Sequence, residues 1–245
     1  MEWSDDAIVL SARAHGENAV VLELLTRDHG RHMGLVHGGT SRKAKPALQP
    51  GNSLHATWRA RLSEQLGTFH VELGRARAGE LMDNRAALAG LNAFTAVTAA
   101  AMPEREAHAP VFIAGEILLD AMAATDALHW LPLYVRWKAG LLEALGFGLD
   151  LSECAATGQT EDLSYVSPRT GRAVSRDGAG VYAARLFRLP GFLLGSQNAD
   201  PDPAQIAAGL QLTGHFLLER VLRAHGQQMP AARMRLDTLL PRESD

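Results

Sequence analysis

Arg42, Lys43 and Lys45 put three cations within four residues, inside GGTSRKAKPALQPG (38–51). Glycines and prolines at both ends of that stretch predict a loop with at most a short helical turn. Arg27, Arg31, Arg59 and Arg61 lie on neighbouring segments. Residues 59 and 61 are spaced by two, so on a strand they share a side. Such a row of cations can track a phosphate backbone, because each neutralised phosphate releases condensed counterions. The bland alternative is a solvated loop and strand edges protected by charge.

Other chemistry finds less support. GGTSRK lacks the G-x-x-x-x-G-K-[ST] spacing of a nucleotide P-loop. His29, His32 and His37 are close in sequence, but no acid or cysteine completes a ligand set, and they read as exposed or groove-lining. Cys154 is the only cysteine, which excludes an intramolecular disulfide and a cysteine-based zinc cage. Ser164, Ser167 and Ser175 sit in no G-x-S-x-G elbow. With no catalytic constellation the chain reads as a non-enzyme without cofactor or metal.

Charge is distributed unevenly over a chain whose formal total is −3. Residues 11–62 hold eight Lys/Arg against three Asp/Glu, whereas 81–245 hold fourteen against eighteen. The N-terminus MEWSDDAIVL starts acidic and lacks the basic-then-apolar order of a signal peptide. No apolar run approaches the ~20 residues of a membrane span. A cytoplasmic protein is expected.

The elements that must carry these residues change character along the chain. Asp6–Ala14 alternates, with Ile8, Leu10 and Ala12 on one face; Ala19–Thr26 is β-rich; Asp28-His29-Gly30 signals a turn; Arg31–His37, Ser53–Leu62 and Thr68–Arg75 read as further strands. Five short strands predict a small barrel, since closure removes sheet edges. From Glu80 the pattern turns helical: Glu80–Met102, a helix opened by Pro103, one opened by Pro110, then Tyr134, Trp137, Leu141 and Leu145 at helical spacing, stopped by Gly146 and Gly148. Trp130, Tyr134 and Trp137 read as core. Residues 149–180 lose periodicity and read as irregular.

Ala204–His225 is amphipathic, with Ile206, Leu210, Leu217 and Val221 as one stripe, widened by Leu212, Phe216 and Leu222. Arg220 and Arg223 flank it, and Arg233 and Arg235 follow. The surplus of apolar residues, rimmed by arginines, could line a groove for a partner segment. Complete burial in a bundle is the alternative. The division expected is a barrel over 1–79 and a helical domain over 80–245, with an irregular insertion at 149–180.

The order DDAIVLSARAHGENAVVLELLTRDHGR…GLVHGGTSRK…LQPG resembles the start of the RecO family of recombination mediators. Leu131-Pro132-Leu133-Tyr134 and Leu145-Gly146-Phe147 resemble its helical core; LDLSEC (149–154), Ser167-Pro168-Arg169-Thr170-Gly171 and Ala173-Val174 resemble its knuckle region. The resemblance implies an α+β chain: a five-stranded OB-fold barrel, then an all-α domain with a knuckle loop. In many relatives four cysteines there bind zinc. Here Cys154 matches the first, while Thr157, Ser175 and Gly178 stand at the other three, which implies a degenerate, zinc-free knuckle. The family binds single- and double-stranded DNA, anneals complementary strands, and works with RecR to load RecA onto DNA coated by single-stranded DNA-binding protein. The implied partners are therefore DNA, RecR and that protein's C-terminal tail, at a nucleoid-associated location. Two rival readings stay open: a protein-binding scaffold that has lost DNA binding, and a hydrolase or transferase with a helical lid.

Overall fold

A computed structural model of the chain describes residues 1–195 and 201–240. Strands β1 (Glu2–His15), β2 (Ala19–Thr26), β3 (Gly30–His37), β4 (Ser53–Arg59) and β5 (Thr68–Arg75) close into a barrel in the order β1-β2-β3-β5-β4. Every neighbouring pair is antiparallel except β3–β5, which meets in parallel at Leu35 and Thr68. Alternation delivers Ala7 and Val9, Val20, Leu22 and Leu24, Leu54, Ala56 and Trp58 to the interior, where Leu48 and Phe69 join them. Gly30 has a positive φ of 69°, and a Cβ there would fall onto the Glu106 carbonyl, so glycine is required twice over.

The expected strand boundaries shift in two places. β1 begins at Glu2 rather than Asp6 and carries a bulge between Val9 and Ser11. β4 ends at Arg59 rather than Leu62, so Arg61 is off the strand and the two arginines do not share a strand face.

Three helices belong to the same compact unit as the barrel, Met1–Ala124. They are α1 (Arg77–Leu81), α2 (Arg85–Ala101) and α3 (Ala109–Ala124). The single helix expected over 80–102 breaks at Asn84, whose side chain accepts from the backbone N–H of Ala86 and Ala87 and caps α2. Pro103 opens no helix; α3 starts six residues later, with Pro110 in its first turn. Ile8, buried on β1 but outside the barrel interior, approaches α3 at Gly115, where the Phe94 ring of α2 also packs. The Arg77 side chain, 4% exposed, donates to Asp120 (2.6 Å), Glu116 (3.3 Å) and the Ser53 hydroxyl, tying α1 to α3 and β4. A buried guanidinium with that many acceptors is expensive to strand by removing either side.

The second unit begins at Thr125. α4 (Ala127–Ala144), capped by Asp126, runs through Pro132 in its second turn and buries Trp130, Tyr134, Val135, Trp137, Leu141 and Leu142. Residues 149–180 are not wholly irregular. Strands β6 (Leu163–Val166) and β7 (Ala173–Ser175) lie there and pair with a later β8 (Phe187–Arg188) in the order β7-β6-β8. Runs of two to four residues are too short to leave a readable period. A short turn of helix, α5 (Arg176–Ala179), follows β7. α6 (Pro203–Phe216) is capped by Asp202, whose carboxylate accepts from Gln205 N–H (2.7 Å), and packs on α4. It runs on as a wider π-type turn over Leu217–Leu222 and a 3-10 turn to His225, and Gly226 (φ 68°) ends it. α7 (Ala231–Met234) closes the described part, apart from a last 3-10 turn, Arg235–Leu239.

Candidate nucleic-acid interface

The loop between β3 and β4 leaves Arg42, Lys43 and Lys45 exposed. Backbone links organise it, among them Lys45 N–H to the Ser41 carbonyl (3.0 Å) and both Ala47 N–H (3.0 Å) and Leu48 N–H (3.3 Å) to that of Ala44. Leu48 inserts into the barrel core and anchors the far end. Among the described residues none of the three cations has a carboxylate partner. Their full charge is directed at solvent.

The other four arginines expected beside them are committed differently. Arg31 is largely buried between Glu23 (2.7 Å) and the Met102 carbonyl (2.8 Å), with Glu104 at 3.5 Å. Arg59 pairs with Glu2 at 2.8 Å on the surface, and each partner holds the other in its charged form. Arg27 faces Asp6 at 3.7 Å and lies over the Phe112 ring of α3, 5.7 Å from its centroid. Arg61 is exposed beyond the end of β4. The seven cations therefore do not form one continuous row.

The barrel also holds an aromatic cluster that strand alternation did not announce. Trp3 stacks on His29 (centroids 4.1 Å, planes 6° apart) and on Trp58 (5.7 Å), and meets His32 and Phe69 edge-on. His29 is held by Asp5 at 2.9 Å. His32 is neither exposed nor groove-lining: it is buried, and neither ring nitrogen has a hydrogen-bond partner among the described residues. Burial, with the charges of Arg105 and His29, pulls its pKa down to about 4. The signal available in sequence was Trp3 and Trp58 at facing positions of β1 and β4, which only the register makes visible.

In the second unit, Leu217 and Val221 are buried, as are Ile206, Leu210, Leu212, Phe216 and Leu222. The whole stripe is core and presents no apolar surface. Arg220 lies over the Phe216 ring (4.6 Å) and donates to the Arg169 carbonyl (3.3 Å); Arg223 pairs with Glu219 (2.6 Å).

The knuckle positions converge in space. Cys154 Sγ, buried, accepts from the Ser175 N–H (3.2 Å) and hydroxyl (3.3 Å), and a Cβ added at Gly178 would lie 2.8 Å from it. Burial pushes the thiol up, but hydrogen bonds from Ser175, Thr157 and Ala156 outweigh it and bring the pKa down to about 6. One sulfur, two hydroxyl side chains and a glycine do not fit zinc, which takes four N, S or carboxylate ligands. Among the described residues no three His, Cys, Asp or Glu side chains group around a common point. No described helix is long and apolar enough to cross a membrane.

A closed five-stranded barrel with a basic loop, followed by helices and a small three-stranded sheet, defines a class of two-part α+β chains. Comparison places this one within it. The family description "Recombination protein O N terminal" matches residues 1–76, and "Recombination protein O C terminal" matches 82–228. The chain is 52% identical over 237 residues to the DNA repair protein RecO of Rhodospirillum centenum, covering 96% of this chain and 93% of that one. It is 50% identical over 243 residues to the Cereibacter sphaeroides strain KD131 protein of the same name, covering 99% of both. With the Rhodospirillum rubrum protein of that name the identity is 47% over 247 residues, covering 100% and 98%. The chain belongs to the RecO family of DNA repair proteins.

Proposed function

We propose that the chain acts as a recombination mediator without covalent chemistry of its own. Its barrel holds the phosphates of single- and double-stranded DNA through Arg42, Lys43 and Lys45, with Arg61 in a supporting place. It anneals complementary strands and, with RecR, helps load RecA onto DNA coated by single-stranded DNA-binding protein, in the cytoplasm on nucleoid DNA. The observation that carries this reading is the trio of exposed cations free of carboxylate partners on one anchored loop. Three like charges gathered on one loop raise the local positive potential that draws a phosphate backbone. Arg27, Arg31 and Arg59 already face carboxylates and shape the barrel rather than the contact. The helical part is the docking platform for RecR and for the acidic C-terminal tail of the DNA-coating protein. Arg220 supplies the cation for that tail, joined by Arg223 once the tail displaces Glu219 from its exposed ion pair, and Leu217 and Val221 support their helix from beneath.

Fluorescence anisotropy with a labelled oligonucleotide at two salt concentrations tests the DNA contact. R42A/K43A/K45A should weaken binding to every sequence alike and flatten the log–log salt slope by about 0.7 per lost single-strand phosphate contact. Equal affinity and slope in a folded variant would assign the barrel a purely structural role.

A further inference from the structure

Five Phe, Tyr or Trp side chains fall within the first unit, Met1–Ala124. Trp58, Phe69, Phe94 and Phe112 are buried, and Trp3 is half-buried with its ring stacked on His29 and Trp58. None of the five is exposed. Barrels that hold a single strand by its bases do so on exposed aromatic rings. This barrel has turned its rings inward.

Its free cations point outward. Val20 and Leu22 are directed into the barrel, so the alternate positions of β2 face out, and strand pairing carries that face to both neighbours. Arg13, Val21 and Leu35 stand in one outward row across β1, β2 and β3; His15, Ala19 and His37 stand in the next. Arg13, His15 and His37 are exposed, and none of their side chains has an ion-pair or hydrogen-bond partner among the described residues. His29 and His55, by contrast, are fixed by Asp5 and Asp6. A ring that nothing holds is a poor platform for a base, so His15 and His37 serve as donors to phosphate.

The basic loop joins this face. The Thr40 hydroxyl donates to the Glu17 carbonyl in the β1–β2 turn (3.3 Å). A Cβ on Gly39 would fall 2.9 Å from that of Val20, so glycine lets the loop lie close against β2. Three carboxylates occur between residues 9 and 51. Glu23 is committed to Arg31 (2.7 Å) and the Ser11 hydroxyl (2.9 Å), and Asp28 sits in the turn at the far end of β2. Glu17 is the one left exposed beside the cations. A face with unpaired cations and no open ring suits the charged part of a nucleic acid and offers nothing to its bases.

We propose that the barrel holds a strand by its phosphates alone, across the outer face of β1, β2 and β3 from Arg13 to the basic loop, and leaves the bases turned away from the protein and open to pairing. This rests on the DNA-handling reading above and specifies how that site grips its ligand. A strand held by its backbone keeps its base edges free for a complement, which annealing requires, and the same grip accepts a duplex.

The test uses the full chain and two fluorescein-labelled probes of about 20 nucleotides, long enough for one binding face. One is oligothymidylate; the other has the same phosphates but a base-free tetrahydrofuran sugar at every position. The two should bind within about threefold of each other with equal salt slopes, whereas a stacking site would lose about tenfold for each base it held. R13A should flatten the slope by about 0.7 for either probe, and R13K should restore it. Arg13 is exposed, and circular dichroism melting checks that both variants fold. A loss beyond threefold for the base-free probe overturns the proposal, and so does an R13A slope equal to that of the wild type. If the wild-type chain fails to bind oligothymidylate, the DNA-handling reading falls, and this inference with it. If it binds oligothymidylate and only the base-free probe is lost, this inference alone is removed.

Discussion

His32 carries a cost that depends on pH. It is buried among Trp3, Trp58 and Phe69, and its folded-state pKa of about 4 lies below the 6.5 of a free imidazole. Above pH 6.5 both folded and unfolded chains hold it neutral, and it adds no pH dependence. Between 6.5 and 4 only the unfolded chain takes up the proton, so stability falls as pH falls through that window and levels off below it. The loss over that window should be on the order of 3 kcal/mol. Urea midpoints at pH 7 and pH 4.5 should therefore differ less in His32→Leu than in the wild type; equal differences would assign the acid sensitivity elsewhere. The Cys154 pKa is lowered as well, here because the charged form is the favoured one. Its thiol is held near pKa 6 by donors on Ser175, Thr157 and Ala156. Thiolate absorbance near 240 nm should appear around pH 6, vanish in Cys154→Ala, and move to higher pH in Ser175→Ala; an unshifted titration in the last variant would remove Ser175 as its cause.

At the scale of elements, short polar caps decide where helices begin. Asn84 splits what reads as one helix into α1 and α2 because its side-chain carbonyl satisfies two N–H groups that otherwise have no partner. Asn84→Ala should lower stability by about 1 kcal/mol, read as a drop of a few degrees in melting temperature, whereas Asn84→Gly should lose only a few tenths. Identical losses for the two would mean that the cap hydrogen bond is not the source. The wide turn at Leu217–Leu222 shows the same dependence on local detail. It rotates the later part of the α6 run so that Leu217, Val221 and Leu222 all turn inward, and a stripe too broad for an ordinary helix is fully absorbed by the core.

For the whole molecule, the compact unit extends to Ala124 and so includes three helices beyond the barrel. Ile8, Leu10 and Leu25 are buried yet lie outside the barrel's own core cluster. Cutting after residue 79 would expose them, at roughly 2 kcal/mol for each large side chain, and would leave Ser53 and Arg77 without Glu116 and Asp120. A fragment of residues 1–124 should thus melt cooperatively by circular dichroism, while a fragment of residues 1–79 should not. Cooperative melting of the shorter fragment would make the barrel self-sufficient.

Sequence by itself determined the five barrel strands, the change to helices near residue 80, the loop that bears Arg42, Lys43 and Lys45, and the residue types that stand at the knuckle positions. Each rests on information local in the chain: a period of two or of 3.6, a proline or glycine, a residue type at a position. Only the tertiary structure decided which cations are free. Glu23 and Glu104 neutralise Arg31, and Glu2 neutralises Arg59, from strands and loops 8 to 73 residues away. It alone brought Trp3, His29, His32 and Trp58 into one cluster and set Thr157, Ser175 and Gly178 around Cys154. Pairing and burial are properties of neighbours in space. Barrel closure and the packing of α4 on α6 choose those neighbours, and no periodicity along the chain encodes them.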